Sequence, residues 1–135
     1  MMKHARDGDL RIVAEGLLLP ESPRWHAGLL WLSDWGAGEI KRIEANGEVT
    51  VIASVDALPF SFAFMPDGEM ALIAGTMLSI RRPDGHFAPH ADLSGLSPKP
   101  WNEIVVDERG APMSTRSASI FRAVNSVRGA SHRSP

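Results

Sequence analysis

Oxygen chemistry is what this chain could offer. Glu21 lies in a proline-bracketed stretch, Pro20-Glu21-Ser22-Pro23, and Asn102 follows a loop containing Pro98 and Pro100. A carboxylate supplies the anionic oxygen that hard divalent cations need. An amide offers an acceptor to a cation, or donors to a hydroxyl or a developing oxyanion. Each residue has a plainer reading beside this one: Glu21 as a solvated loop carboxylate, and Asn102 as a turn residue capping its loop. Other chemistries find little support. His26 lies in a turn, and His86 and His90, although four residues apart, lie along a predicted strand whose extended backbone sets them too far apart to share an ion. The chain has no cysteine, which excludes disulfides and thiolate metal sites. Gly-x-Ser-x-Gly, P-loop and dinucleotide fingerprints are absent.

The elements that must position Glu21 and Asn102 announce themselves as a repeat. Trp25-His26-Ala27-Gly28 runs into Leu29 to Ser33, and Met65-Pro66-Asp67-Gly68 runs into Glu69 to Ile73. Val106-Asp107-Glu108-Arg109-Gly110 is a third copy, after which the Ser- and Arg-rich sequence predicts no strand. The glycines of this series are 40 and then 42 residues apart. A second series, Ala45-Asn46-Gly47-Glu48 and Pro83-Asp84-Gly85-His86, places its glycines 38 apart. Short strands and tight turns recurring every 40 residues or so are the pattern of propeller blades.

The runs between the turns fit that pattern. Leu10 to Ala14 alternates loosely, Leu17 to Leu19 is apolar, and Pro20, Ser22 and Pro23 break the series. Strands are predicted at Leu29 to Ser33, Glu39 to Glu44 and Val49 to Val55, the last two flanking the hairpin signal Asn46-Gly47. Further strands are predicted at Phe60 to Met65, Glu69 to Ala74, Met77 to Arg81, Phe87 to Leu93 and Asn102 to Val106. No long window carries a 3.6-residue apolar period, so the class is all-β. At four strands per blade the chain holds roughly two to two and a half blades, and a ring needs about four to close. Trp25, Trp31 and Trp35 are expected to pack between blades.

The 135 residues are 44% apolar and 22% charged, ordinary for a globular chain. The apolar runs are too short to span a bilayer, and residues 1–10 lack the apolar core of a signal peptide, so a cytoplasmic protein is expected. Residues 1–110 carry 10 Lys and Arg against 16 Asp and Glu, a net −6, which argues against a nucleic-acid partner. Residues 111–135 carry four arginines and no acid. The shift in composition begins where the repeat breaks.

Several stretches, in order, resemble the SMP-30/gluconolactonase/LRE-like family. They are Pro20-Glu21-Ser22-Pro23-Arg24-Trp25, Trp31-Leu32-Ser33-Asp34, Phe64 to Gly68, Pro83-Asp84-Gly85 through Ala91-Asp92-Leu93-Ser94, and Trp101 to Asp107. The resemblance covers residues 11–110 and implies part of a six-bladed β-propeller. It implies hydrolysis of a sugar lactone or related cyclic ester with a divalent metal, calcium or zinc. It makes Glu21 a metal ligand in the central channel, and Asn102 a group near the metal that helps to hold substrate. Glu103 falls among the substrate-contacting positions, where the family usually has Asp, and Pro100 stands where some members carry a substrate-binding Arg. The ligands expected from later blades have no counterpart in this chain. The expectation is therefore a fragment that binds metal weakly and does not turn over substrate, with no nucleic-acid or membrane partner. A non-catalytic propeller module and a strictosidine-synthase-like propeller are the alternatives.

The resemblance also bears on residues 111–135. The family continues past the third turn with a strand of Ala-Tyr-Val type, then Gly-Phe-Asp and Gly-Gly-Glu-Phe. Suitable codons for Ala111 to Arg128, read from the third base of each, encode such a run. The tail is therefore expected to be translated out of frame and disordered. A Ser/Arg-rich segment that binds a partner is the competing reading.

Overall fold

A computed structural model of the chain describes residues 10–107, together with the backbone of residues 112–116 and 119–121. The strands are β1 (Pro20–His26), β2 (Leu29–Asp34), β3 (Glu39–Ile43) and β4 (Val49–Ser54), then β5 (Phe60–Phe64), β6 (Met70–Ala74), β7 (Met77–Arg81) and β8 (Phe87–Asp92), and finally β9 (Glu103–Val106), β10 (Pro112–Arg116) and β11 (Ser119–Phe121). They form three sheets in chain order, β1-β2-β3-β4, β5-β6-β7-β8 and β9-β10-β11, every neighbouring pair antiparallel. This is an all-β partial propeller. Among the described residues no helix is long and apolar enough to cross a membrane.

The repeated turns share one physical solution. At Glu44–Gly47, Met65–Gly68 and Arg82–Gly85 the glycine N–H donates to the carbonyl three residues back, at 2.8–2.9 Å. In each, the Asn or Asp before the glycine accepts the N–H two residues on, so Asn46, Asp67 and Asp84 receive Glu48, Glu69 and His86. Gly47, Gly68 and Gly85 sit at φ of 90°, 91° and 93°, in the left-handed region that L side chains resist.

Two apolar clusters hold the sheets face to face. Trp31 and Ile40 of the first sheet pack with Phe60, Phe62, Met70 and Leu72 of the second. Ala71, Ile73, Leu78 and Ile80 pack with Ile104 of the third and with Trp101, which lies in the loop just before it. Trp35 reinforces the first contact by donating its indole N–H to the Phe60 carbonyl at 2.7 Å. Trp31 and Trp35 thus pack between sheets as expected.

Trp25 does not. Arg24 and His26 face the second sheet, and period-2 alternation turns Trp25 to the opposite face, where it is 75% exposed. There it borders an open cavity of about 510 Å³ with Ile12, Val13, Leu30 and Ile43.

The other departures from expectation lie at the two ends. Pro20, Ser22 and Pro23 do not break the series. They belong to β1, which among the described residues is an edge strand with one unpaired side, where proline is tolerated. The stretches 10–14 and 17–19 form no strand. Residues 13–18 instead cross the outer face of the first sheet, where a Cβ on Gly36 would meet the Leu18 Cβ at 2.5 Å and one on Gly47 the Val13 carbonyl at 3.0 Å. After the third turn, whose residues 108–111 lie outside the described residues, a strand does follow. β10 pairs with β9 in the register Pro112↔Val106 to Thr115↔Glu103. Its ladder is made by backbone groups, and the β9 edge supplies them whatever the side chains. Residues 122–135, where most of the tail expectation falls, lie outside the described residues.

Candidate functional site

Each sheet begins with the strand at its edge, and these three strands lie together: β5 packs against both β1 and β9. Their starts share one end, because Ser22 reaches Ser61 and Ser61 reaches Glu103, all within the first three residues of their strands. Glu21 and Asn102 are the chain neighbours of Ser22 and Glu103. The structure thus gathers all three sequence-predicted site residues at one end of the inner strands.

β1 carries a bulge: Glu21 opposes Ser33 and Arg24 opposes Trp31, leaving Ser22 and Pro23 against Leu32 alone. Ser22 sits inside it at φ 50°, a left-handed conformation that costs a non-glycine residue on the order of 1 kcal/mol or more. Its side chain is buried, whereas Glu21 is exposed. Asn102 is half-buried behind Trp101, whose N–H donates to the Gly75 carbonyl at 3.0 Å. Its Oδ1 is buried and has no hydrogen-bond partner among the described residues. A buried amide oxygen left unpaired is costly, and is the kind of atom that a cation or a donor on a ligand satisfies.

Glu103 is engaged inside the protein. Its Oε1 accepts from the Ser61 hydroxyl at 2.6 Å, from Arg24 Nη2 at 2.6 Å and from the Ile104 N–H at 2.9 Å. Arg24 spends its other donors on carbonyls: Phe62 at 3.0 Å, Ile104 at 2.9 Å and Pro23 at 3.0 Å. One guanidinium therefore clamps the inner strands of all three sheets. Arg24 and Ser61 were not singled out in the sequence. A serine inside the apolar run Phe60 to Phe64 was the available signal, since a buried hydroxyl needs a partner.

A second buried polar group lies at the same end of the first sheet, where Asp34 opposes Pro20 across β1 and β2. Asp34 closes β2, fully buried, and accepts from Lys41 Nζ at 2.8 Å and from the Leu18 and Leu19 N–H groups at 3.1 and 2.9 Å. Burial alone would push its carboxyl upward. The Lys41 hydrogen bond and the two backbone donors outweigh that and hold it far below the usual carboxylate range. Lys41 is raised in turn, chiefly by its hydrogen bond to Asp34, against the opposing effect of burial. This pair fastens residues 18 and 19 to the sheet.

Among the described residues no group of three or more His, Asp or Glu side chains is placed to hold a metal ion. Glu21 and Asn102 carry oxygens of the type a hard cation takes, but they are only two where a calcium site takes roughly six to eight.

No family model matches the chain, and no curated protein matches it. Solved structures do. A calcium-binding protein, regucalcin, from Agrobacterium tumefaciens is similar at TM-score 0.60 and 22% identity, covering 73% of this chain and 35% of its own. Virginiamycin B lyase from Staphylococcus aureus is similar at TM-score 0.56 and 16% identity, covering 71% of this chain and 34% of its own. A catalytically inactive form of that lyase with quinupristin gives TM-score 0.54 at 16% identity, with 76% and 40% covered. These likenesses bear on the fold, and the chain spans between about a third and two fifths of the length of each neighbour.

Proposed function

We propose that this chain is the opening portion of an SMP-30/gluconolactonase-like hydrolase that opens a sugar lactone or related cyclic ester with the help of a divalent metal. The observation that carries the reading is the unpaired, buried Asn102 Oδ1 at the end of the inner strands where the exposed Glu21 carboxylate also stands. The calcium-binding neighbour supports calcium as the ion. The same fold also serves a lyase, so the proposal rests on these residues rather than on the architecture.

Glu21 would hold the ion through its carboxylate and Asn102 through its amide oxygen, with the amide N–H₂ left to donate to substrate. Such an ion, when bound, polarises an ester carbonyl and makes its bound water acidic enough to attack. Two protein oxygens bind weakly, so the remaining ligands belong to blades beyond this chain, and the chain alone is proposed to be inactive. The out-of-frame origin of residues 111–135 is part of the same proposal, as is a cytoplasmic setting.

A chain with the frame restored after Gly110 tests it. Calcium- or zinc-dependent lactone hydrolysis, abolished by Glu21→Gln, is the expected result. A folded ring that binds neither ion would favour a non-catalytic module. A nucleotide sequence whose shifted frame lacks a propeller-like continuation would remove the frame component.

A further inference from the structure

We propose that Ser61, acting with Glu103, is the positioning residue that sets Glu21 and Asn102 at a fixed spacing. This rests on the reading of those two as cation-holding oxygens. Proton accounting gives the link a direction. The Glu103 carboxylate can only accept, so the Ser61 hydroxyl spends its single proton on Oε1, at 2.6 Å. At 2.8 Å from Ser61, Ser22 must then be the donor of that pair. The Ile104 N–H forks between Glu103 Oε1 at 2.9 Å and Ser61 Oγ at 3.4 Å. The ordered chain is Ser22 to Ser61 to Glu103, with Arg24 closing it from the other side.

Each end of this chain is covalently next to a candidate ligand. Ser22 follows Glu21, and Glu103 follows Asn102. Ser61 lies on β5, apart from both candidate ligands in the chain, yet it touches the neighbour of each. It is fully buried, so bulk water cannot stand in for its hydroxyl. Ser22 is held at its left-handed φ inside the bulge that presents Glu21 outward. The network spends its own donors internally while the Asn102 oxygen stays unpaired. That division of labour is expected of a support that aims a ligand without competing for it.

The test uses the full 135-residue chain, ¹⁵N-labelled, with calcium ion alone as the probe. The readouts are the side-chain amide resonance of Asn102 before calcium and the calcium affinity that its titration gives. Ser61→Ala and Glu103→Gln are expected to move the resonance and to weaken calcium binding roughly 10- to 100-fold. Ile80→Val, a cavity mutation in the cluster between the second and third sheets, is expected to lower stability and leave both readouts alone. Should Ser61→Ala and Glu103→Gln behave like Ile80→Val, the two residues serve only stability and the proposal is overturned. If the wild-type chain shows no response to calcium, the cation reading fails. The positioning claim is then decided by the Asn102 resonance alone: moved by Ser61→Ala it stands, unmoved it falls. Ser22→Ala removes only the first donor and reads the same resonance if Glu103→Gln does not fold.

Discussion

The Asp34–Lys41 pair, which is buried, and the Ser22–Ser61–Glu103–Arg24 group, which runs from buried serines to a half-buried ion pair, are both polar constellations among β-sheets, and they close differently. Asp34 receives a cation and two backbone donors, and everything it touches belongs to the first sheet or the segment lying across it. The second group joins three sheets and ends beside an amide oxygen that nothing in the described protein satisfies. The first is complete as architecture. The second is complete except at that oxygen, and the proposed function rests on this difference.

The comparison breaks most sharply at Asp34. Asp34→Ala leaves the buried Lys41 with only the longer contact to Glu39 at 3.5 Å and strips the Leu18 and Leu19 N–H groups of their acceptor, which is expected to cost about 3–5 kcal/mol by chemical denaturation. The same pair sets a pH window. The native Asp34 carboxyl is depressed, so its contribution is complete above the ordinary value of 3.8 and is lost as the pH falls below that toward the native value. The native Lys41 is raised, so its contribution is complete below 10.5 and is lost as the pH climbs above it. Stability followed against pH should fall at both limits, and both losses should be blunted in Asp34→Asn. A flat profile in the wild type would contradict the assignment.

Gly36→Ala comes next in size. Its new Cβ would stand 2.5 Å from the Leu18 Cβ, and moving that segment off the sheet is expected to cost about 1–3 kcal/mol in the same assay. A neutral result would mean that residues 13–18 do not lie where the structure puts them.

The smallest effect is expected at Trp25. Trp25→Ala removes an exposed ring and should change stability by no more than about 0.5 kcal/mol, whereas Trp31→Ala, within the cluster between sheets, should cost about 3–5 kcal/mol. Equal losses would show that the first sheet uses both faces as core.

How much of this was legible in the residues follows from range. Turn chemistry is local, and Asn46-Gly47 and the two Pro-Asp-Gly turns placed β3 through β8 to within about two residues. Residues 10–19 misled because an apolar alternation also suits a segment laid across a sheet without joining its ladder. Prolines at 20 and 23 misled because an edge strand has no ladder partner to lose on one side. The site was half legible. Motif context marked Glu21 and Asn102, but Ser61 and Arg24 join it across 39 to 80 residues, a separation that no local pattern encodes.

The central claim is that Glu21 and Asn102 are brought to one end of the inner strands to share a cation. Manganese titrated into the labelled chain tests it directly, since the ion broadens resonances near it. Joint broadening of the Glu21 and Ser22 amides and the Asn102 side-chain amide is expected at about millimolar ion, lost together in Glu21→Gln. Broadening confined to Asp67, Asp84 or another exposed carboxylate, with Asn102 untouched, would contradict it.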